Sequence, residues 1–374
     1  MTIFIIGIAA FLFYMLQLTV LKHFWDRNLK IQVRFEEPVM QEGSQGWLVE
    51  TIENCKRLPL PMLKVKFQCP RELIFEDTAE STVTDFYYRN EIFTVMPYQR
   101  VTRRLPFTGG KRGYYRIQGV DLLGSDLFLS QQMVKQEKAE TVCMVYPRPL
   151  NRESLLPAIR QLQGEILSRW QILEDPFEYR GIREYQPFDE VKQINWKATA
   201  KTGELKVNER GYSARQGIRI FLNLQDDGVL KHEEDVENAI RLCVTLSMEL
   251  LGMGNRVAVY ANCPDCLTCK LLQIEASTGS SHLQTILGGL ARLDITKAAF
   301  DFQTVFGETL INEKAEFLTI FISTPGAKEF EETVREYLGT GKECRWFYLY
   351  SDRKKAELSK DLESHVTKIF GEGA

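Results

Sequence analysis

Residues Ile3 to Leu21 are almost wholly apolar, with Gln17 the main exception. About 20 residues at roughly 1.5 Å rise span the ~30 Å hydrocarbon core of a bilayer. The run therefore predicts a transmembrane anchor over residues 1–22, and a buried core helix is the competing reading of the same pattern. No basic residue precedes it and no small-x-small cleavage site follows, unlike a cleaved signal peptide. Lys22, Arg27 and Lys30 come immediately after, which by the positive-inside rule leaves the bulk of a single-pass chain in the cytoplasm. His23 and Trp25 at the lower edge suit an interfacial belt.

Beyond Lys30 the period changes to two. From Met62 to Cys69, Leu63, Val65, Phe67 and Cys69 fall on one face and Lys64, Lys66 and Gln68 on the other, the pattern of a half-buried antiparallel strand. Similar runs cover Ile31–Phe35, Trp47–Ile52, Val83–Tyr88, Ile92–Val95, Val101–Phe107, Tyr114–Val120 and Val142–Tyr146. Pro59 with Pro61, Gly109-Gly110 and Gly124-Ser125 supply turns between some of them. This spacing predicts an immunoglobulin-like β-sandwich domain over residues 30–147.

A helical period follows from Asn151 to Glu174, with Leu155, Ile159, Leu162 and Ile166 on one face and Pro176 as its stop. From residue 215 to 374 strands and helices alternate. Strands are expected at Ile218–Leu224, Arg256–Ala261, Leu271–Glu275, Phe317–Ser323 and Arg345–Tyr350. Helices are expected at Val236–Met253, Ser281–Arg292, Ala327–Tyr337 and, amphipathic, at Ala356–Ile369. That alternation implies a mostly parallel sheet covered on both faces.

Between these domains, the stretch Asp175–Arg210 carries no period through its first half. Phe177, Tyr179, Tyr185 and Phe188 alternate there with charged residues, which reads as a packed, irregular segment pinned by aromatics and ion pairs. A disordered linker would be poor in aromatics. Gly181, Arg183-Glu184-Tyr185, Pro187, Asp189, Asn195-Trp196-Lys197 and Ala200-Lys201 resemble the core motif of the family catalogued as domain of unknown function 58, G-x-R-E-Y-x-P-G-D-D followed by R-x-I-D/N-W-x-x-x-A-R. Phe188 replaces the usual glycine and Lys201 the usual arginine. Shorter matches to that family are an N-x-x-x-L-P-L turn at Asn54 and Leu58 to Leu60 and an R-G-x-Y hairpin at Arg112 to Tyr115. Its D-P-F-G corner is loosely echoed at Asp126 to Leu129. The resemblance implies a von Willebrand factor type A-like (Rossmann-like) domain over residues 215–374, with residues 151–214 as a helix and junction motif.

Two roles are open to the junction residues. Arg183, Glu184 and Asp189 could tie the loop to the first sheet strand through buried ion pairs, with Trp196 as core. Alternatively arginine, tyrosine and tryptophan could form a hot spot for a partner.

A net charge of −3 offers no basic field for nucleic acid, and eight cysteines in 374 residues do not make a disulfide scaffold. Type A domains bind Mg²⁺ through D-x-S-x-S, one carboxylate and two hydroxyls on one loop; the aligned positions here are Asn223, Gln225 and Asp227, so the site reads as degenerate. Cys263, Cys266 and Cys269 have zinc-like spacing but need a fourth ligand such as His282 or Cys344, and a plain reduced hairpin is the competing reading. The histidines His23, His232, His282 and His365 have no nucleophile motif near them, and no glycine pair has the spacing of a phosphate loop. No cofactor and no enzyme activity are expected. The resemblance implies a membrane-anchored, non-catalytic adaptor or assembly protein. Its partners would be a MoxR-type AAA+ ATPase, other membrane-bound type A domain proteins and a transglutaminase-like protein. A metal-dependent adhesion or ligand-binding receptor is the alternative, and a hydrolase a more distant one.

Overall fold

The computed structural model describes residues 2–75, 81–83, 86–126, 128–172, 174–187, 189–212, 217–225, 233–311, 317–324, 328–350 and 359–370. The chain divides into two compact units, Met1–Arg148 and Pro149–Ala374.

The first unit begins with the helix Thr2–Phe24, whose segment Ile3–Phe24 is long and apolar enough to cross a membrane. Its upper part stands free, while Gln17, Leu21 and the following Trp25 are buried. The Trp25 ring belongs to the sandwich core and lies so close to Gly124 that a Cβ there would sit 2.5 Å from it. The interfacial position expected for Trp25 is thus corrected: the indole is a core residue because the neighbouring strand has a glycine where it enters.

The strands form two sheets. One orders Leu29–Phe35, Gln45–Asn54, Arg100–Gly109 and Leu73–Phe75; the other orders Val39–Gln41, Gln132–Tyr146, Gly113–Ser125, Leu60–Pro70, Phe86–Val95 and Ser81–Val83. Pairing is antiparallel except between Val39–Gln41 and Gln132–Tyr146. The predicted alternation holds at Leu63, Val65, Phe67 and Cys69, all buried in one cluster with Leu48, Ile52 and Phe107. Part of the Val83–Tyr88 run lies outside the described residues.

In the second unit the helix Arg152–Ile172 buries Leu155, Ile159, Leu162 and Ile166 as its period requires. The sheet comprises β1 (Gly217–Asn223), β2 (Arg256–Pro264), β3 (Leu271–Ser277), β4 (Leu318–Ser323), β5 (Cys344–Tyr350) and β6 (Val366–Phe370), in the order β3-β2-β1-β4-β5-β6. Only β3 runs antiparallel to its neighbour. On β1, Ile218, Ile220 and Leu222 enter one core with the helices Glu233–Gly252 and Ser280–Ala291. Phe221 enters another with Phe302–Ile311 and Lys328–Gly339. An apolar run on both faces is what such a strand needs.

Three expectations change. The helix Phe302–Ile311 was not legible as a period, although Asp301 marks its start by accepting from the Thr304 N–H at 2.7 Å. The expected helix Ala356–Ile369 is instead a 3-10 turn at Lys360–His365 and the strand β6, its first residues lying outside the described ones. The spacing of Leu362, Val366 and Ile369 suits a helix, but β5 offers an unpaired edge there, and pairing that edge outweighs local propensity. The stretch 175–210 is also more regular than expected: Glu174–Glu184 and Lys206–Tyr212 form an antiparallel ribbon.

Candidate functional site

The junction motif folds onto this ribbon. Gly181, Ile182, Arg183 and Glu184 pair with Glu209, Asn208, Val207 and Lys206. The Tyr185 N–H, beyond the strand end, donates to the Leu205 carbonyl at 3.0 Å. Pro187 occupies the second position of a turn closed by the Asp189 N–H on the Gln186 carbonyl at 2.9 Å, where its fixed φ is preset. Phe188 lies outside the described residues. The Arg183 guanidinium forks onto the Asp189 carboxylate at 2.7 and 2.5 Å, and the same carboxylate accepts from the Gln186 N–H at 2.7 Å. The Asp189 side chain is 4% exposed and that of Arg183 35%. The Arg183 hydrogen bonds hold the Asp189 carboxyl below the usual carboxylate range, against the upward push of its desolvation.

Asn195 caps the helix Trp196–Thr202: its Oδ1 accepts from the Ala198 N–H at 2.9 Å and its Nδ2 donates to Asn208 Oδ1 at 2.6 Å. Gly203 ends that helix at φ 75°, a left-handed conformation that glycine takes without a Cβ penalty. Thr199 Oγ1 accepts from the Lys206 N–H at 3.0 Å, and Lys206 Nζ reaches Glu184 at 3.3 Å. This network corrects the structural role expected of the motif. Its ion pairs join the ribbon and its turn to each other, and Trp196 is not core but 64% exposed. Ile182, Val191 and Leu205 of the same segment are also exposed, as are Lys197 and Lys201. Ile182, Arg183, Gln186, Ala198 and Lys206 help to line an open cleft of about 580 Å³. Asn208 and Lys206 were missed from the sequence; the cap-to-stop spacing of Asn195 and Gly203 was the available signal.

The strand order reverses at β1 and β4, where open α/β sheets place ligands beyond the carboxyl ends. That position holds amides. Asn223 Oδ1 accepts from the Gln225 N–H at 3.1 Å and from Asn262 Nδ2 at 2.8 Å, while Asn262 Oδ1 accepts from the Leu224 N–H at 2.8 Å. Ser323 Oγ accepts from the Trp346 indole at 2.9 Å. Asp226 and Asp227 lie outside the described residues.

The zinc-like spacing does not converge on a site. Cys263 is buried in the core cluster of one sheet face and Cys344 in that of the other, while Cys266 and Cys269 are exposed. His282 Nε2 is engaged with the Val257 carbonyl at 2.6 Å. Among the described residues no three His, Cys, Asp or Glu side chains are grouped to hold a metal. The turn is instead built on Asp265, which accepts from the Leu267 and Thr268 N–H groups at 2.7 and 3.1 Å and from Arg292 Nε at 2.7 Å. Partial burial of the thiol, reinforced by Asp265 and Asp294, raises Cys266 above its ordinary value.

Residues 181–335, beginning at the glycine of the junction motif, match the family described as "Protein of unknown function DUF58". That segment belongs to the DUF58 family. No curated protein matches the chain. Among solved structures, a non-cellulosomal cohesin from Archaeoglobus fulgidus is 14% identical, with 31% of this chain and 91% of that one covered and a TM-score of 0.23. The CARDB domain of a Pyrococcus furiosus protein in complex with di-metal ions is 13% identical, with 31% and 93% covered and a TM-score of 0.21. A PapD-like domain of human CEP192 is 12% identical, with 32% and 84% covered and a TM-score of 0.21. Each likeness extends over about a third of the chain.

Two outcomes are expected from the DUF58 segment. Because the folded Asp189 carboxyl is depressed, its contribution is full above the unfolded value of about 3.9 and is lost as pH falls through the folded value. Amide protection at Gln186, corrected for intrinsic exchange, should therefore fall in acid in the wild type and show no such step in Asp189→Asn. Identical profiles would mean that the fork does not hold the turn. Second, melting temperatures in excess Mg²⁺ and in chelator should agree, since Asn223 Oδ1 is already taken by Asn262 and Gln225. A rise of several degrees with Mg²⁺, by mass action on the native state, would overturn this.

Proposed function

We propose that this chain is a membrane-anchored, non-catalytic assembly protein that docks a partner on its DUF58 junction, residues 181–206. The reading rests on Trp196: it stands 64% exposed at the first position of a helix fixed at both ends by Asn195 and Gly203. Large apolar side chains on a surface are ordinary when scattered, but an exposed tryptophan on a helix fixed at both ends is the residue type of which interface hot spots are made, and Ile182, Val191 and Leu205 of the same segment are exposed as well. Pre-ordering also lowers the entropy cost of binding. The partner implied by the family resemblance is a MoxR-type AAA+ ATPase, with other membrane-bound type A domain proteins and a transglutaminase-like protein in the same assembly. The α/β unit is in this reading a von Willebrand factor type A-like domain. Its strand order and antiparallel edge strand support that assignment, and the Asn223–Asn262 amide pair stands where the cation would be. The adhesion-receptor alternative needs that cation.

The helix Ile3–Phe24 is the anchor, and Lys22, Arg27 and Lys30 favour a cytoplasmic bulk.

Trp196→Ala should leave stability within about 0.5 kcal/mol of wild type, as expected for an exposed side chain, while co-purification with the ATPase in mild detergent is lost. Retained capture would remove the junction from the interface. In intact cells, protease added outside should leave residues 30–374 uncut; their digestion would reverse the orientation and favour a receptor.

A further inference from the structure

The anchor does not simply precede the sandwich; its lower half is packed on it. Gln17, Leu21 and Trp25 are buried, with Tyr14 and Leu18 half-buried, at spacings of three and four that form one helical stripe. Tyr14 Oη is bonded to Ser130 Oγ at 2.8 Å, its ring lies 5.8 Å from that of Phe128, and Gln17 Nε2 donates to Asp126 at 3.3 Å. Asp126, Phe128 and Ser130 of the sandwich corner therefore stand beside the helix at the level of Tyr14 and Gln17.

That level has a consequence for depth. From Ile3 to Tyr14 the helix rises only about 17 Å, little more than half of the ~30 Å hydrocarbon core. A span of about 20 residues reaches Lys22, which puts Tyr14 about 12 Å inside the lower boundary. The corner cannot stay in bulk water while the helix beside it crosses the bilayer. Its composition fits that depth. Phe128 and Leu129 are 59% and 61% exposed at its tip. Leu129 holds φ 57°, in a turn closed by its N–H on the Asp126 carbonyl, a position that glycine or asparagine fills at lower cost. Most of the polar groups at that level are paired with one another, although Gln17 Oε1 has no partner among the described residues. The Asp126 carboxylate, wholly buried, accepts from Gln17, from Ser130 Oγ at 2.9 Å and from the Gln131 N–H at 2.9 Å. Internal pairing of this kind is required where water is scarce.

We infer that the Phe128-Leu129 corner is a second membrane contact, a wedge that enters the acyl layer beside the anchor helix. The occupant of this exposed apolar tip is lipid. The inference rests on the reading of Ile3–Phe24 as a membrane span, and the two can fail separately.

The test places the photoreactive residue benzoylphenylalanine, one site at a time, at Leu129, Phe128, Phe11 and Lys111 in the full chain. Each variant is reconstituted in phosphatidylethanolamine–phosphatidylglycerol vesicles. Lys111 precedes the strand Gly113–Ser125 at its far end, about 40 Å from the corner at ~3.3 Å per residue. After illumination, lipid-sized mass shifts are expected at Phe11 and at the corner and none at Lys111. Phe128 serves as the second corner reporter should the left-handed Leu129 position not tolerate the replacement. Adducts at Phe11 with neither corner position labelled would overturn the wedge and leave the anchor standing. No adduct at Phe11 would overturn both.

Discussion

At turns in both units a buried aspartate or asparagine is bonded to the main chain it serves. Asp126 accepts from Gln131, Asp189 from Gln186, Asp265 from Leu267 and Thr268, and Asn223 from Gln225. Asn54 works in the other sense, donating to the Leu58 and Met96 carbonyls at 2.9 and 3.0 Å. A polar group taken out of water without a partner costs on the order of 1–3 kcal/mol, so a short side chain that can bond its own turn is the economical way to bury one. The turns fixed in this way set where strands begin and end, and with them which side chains each sheet presents.

The motif residues become intelligible on these terms. Asn54 with Leu58 is a turn clamp, and Tyr115 of the R-G-x-Y match donates its hydroxyl to the Lys111 carbonyl at 2.8 Å. The zinc-like cysteine spacing surrounds Asp265, whose bonds to Leu267, Thr268 and Arg292 account for the turn without a metal. In the DUF58 junction the same chemistry holds the motif residues. Arg183, Asp189 and Asn195 are engaged in internal bonds, while Trp196 is exposed to the solvent.

The helix stripe and the sandwich corner show a related division. Gln17, the one clear polar interruption of the apolar run, is paired with Asp126. Tyr14 is paired with Ser130. With these two contacts the helix is held to the sandwich at a fixed height.

Much of the fold was legible in the sequence because its signals are local. The alternation of Leu63, Val65, Phe67 and Cys69, the helical spacing from Leu155 to Ile166 and the apolar strand at Ile218–Leu224 each follow from the geometry of one element meeting one core. The junction motif and the amides at Asn223 and Gln225 were visible as residue identities. What the sequence left undecided depends on partners far away in the chain. Whether Leu362 to Ile369 coils or extends was settled by the open edge of β5. Trp25 became core because Gly124, about a hundred positions later, leaves room for its ring. Trp196 reads as core from its identity alone. In the structure it is exposed, on a helix whose cap Asn195 bonds Asn208 of the ribbon, a non-local pairing that no period in the sequence encodes.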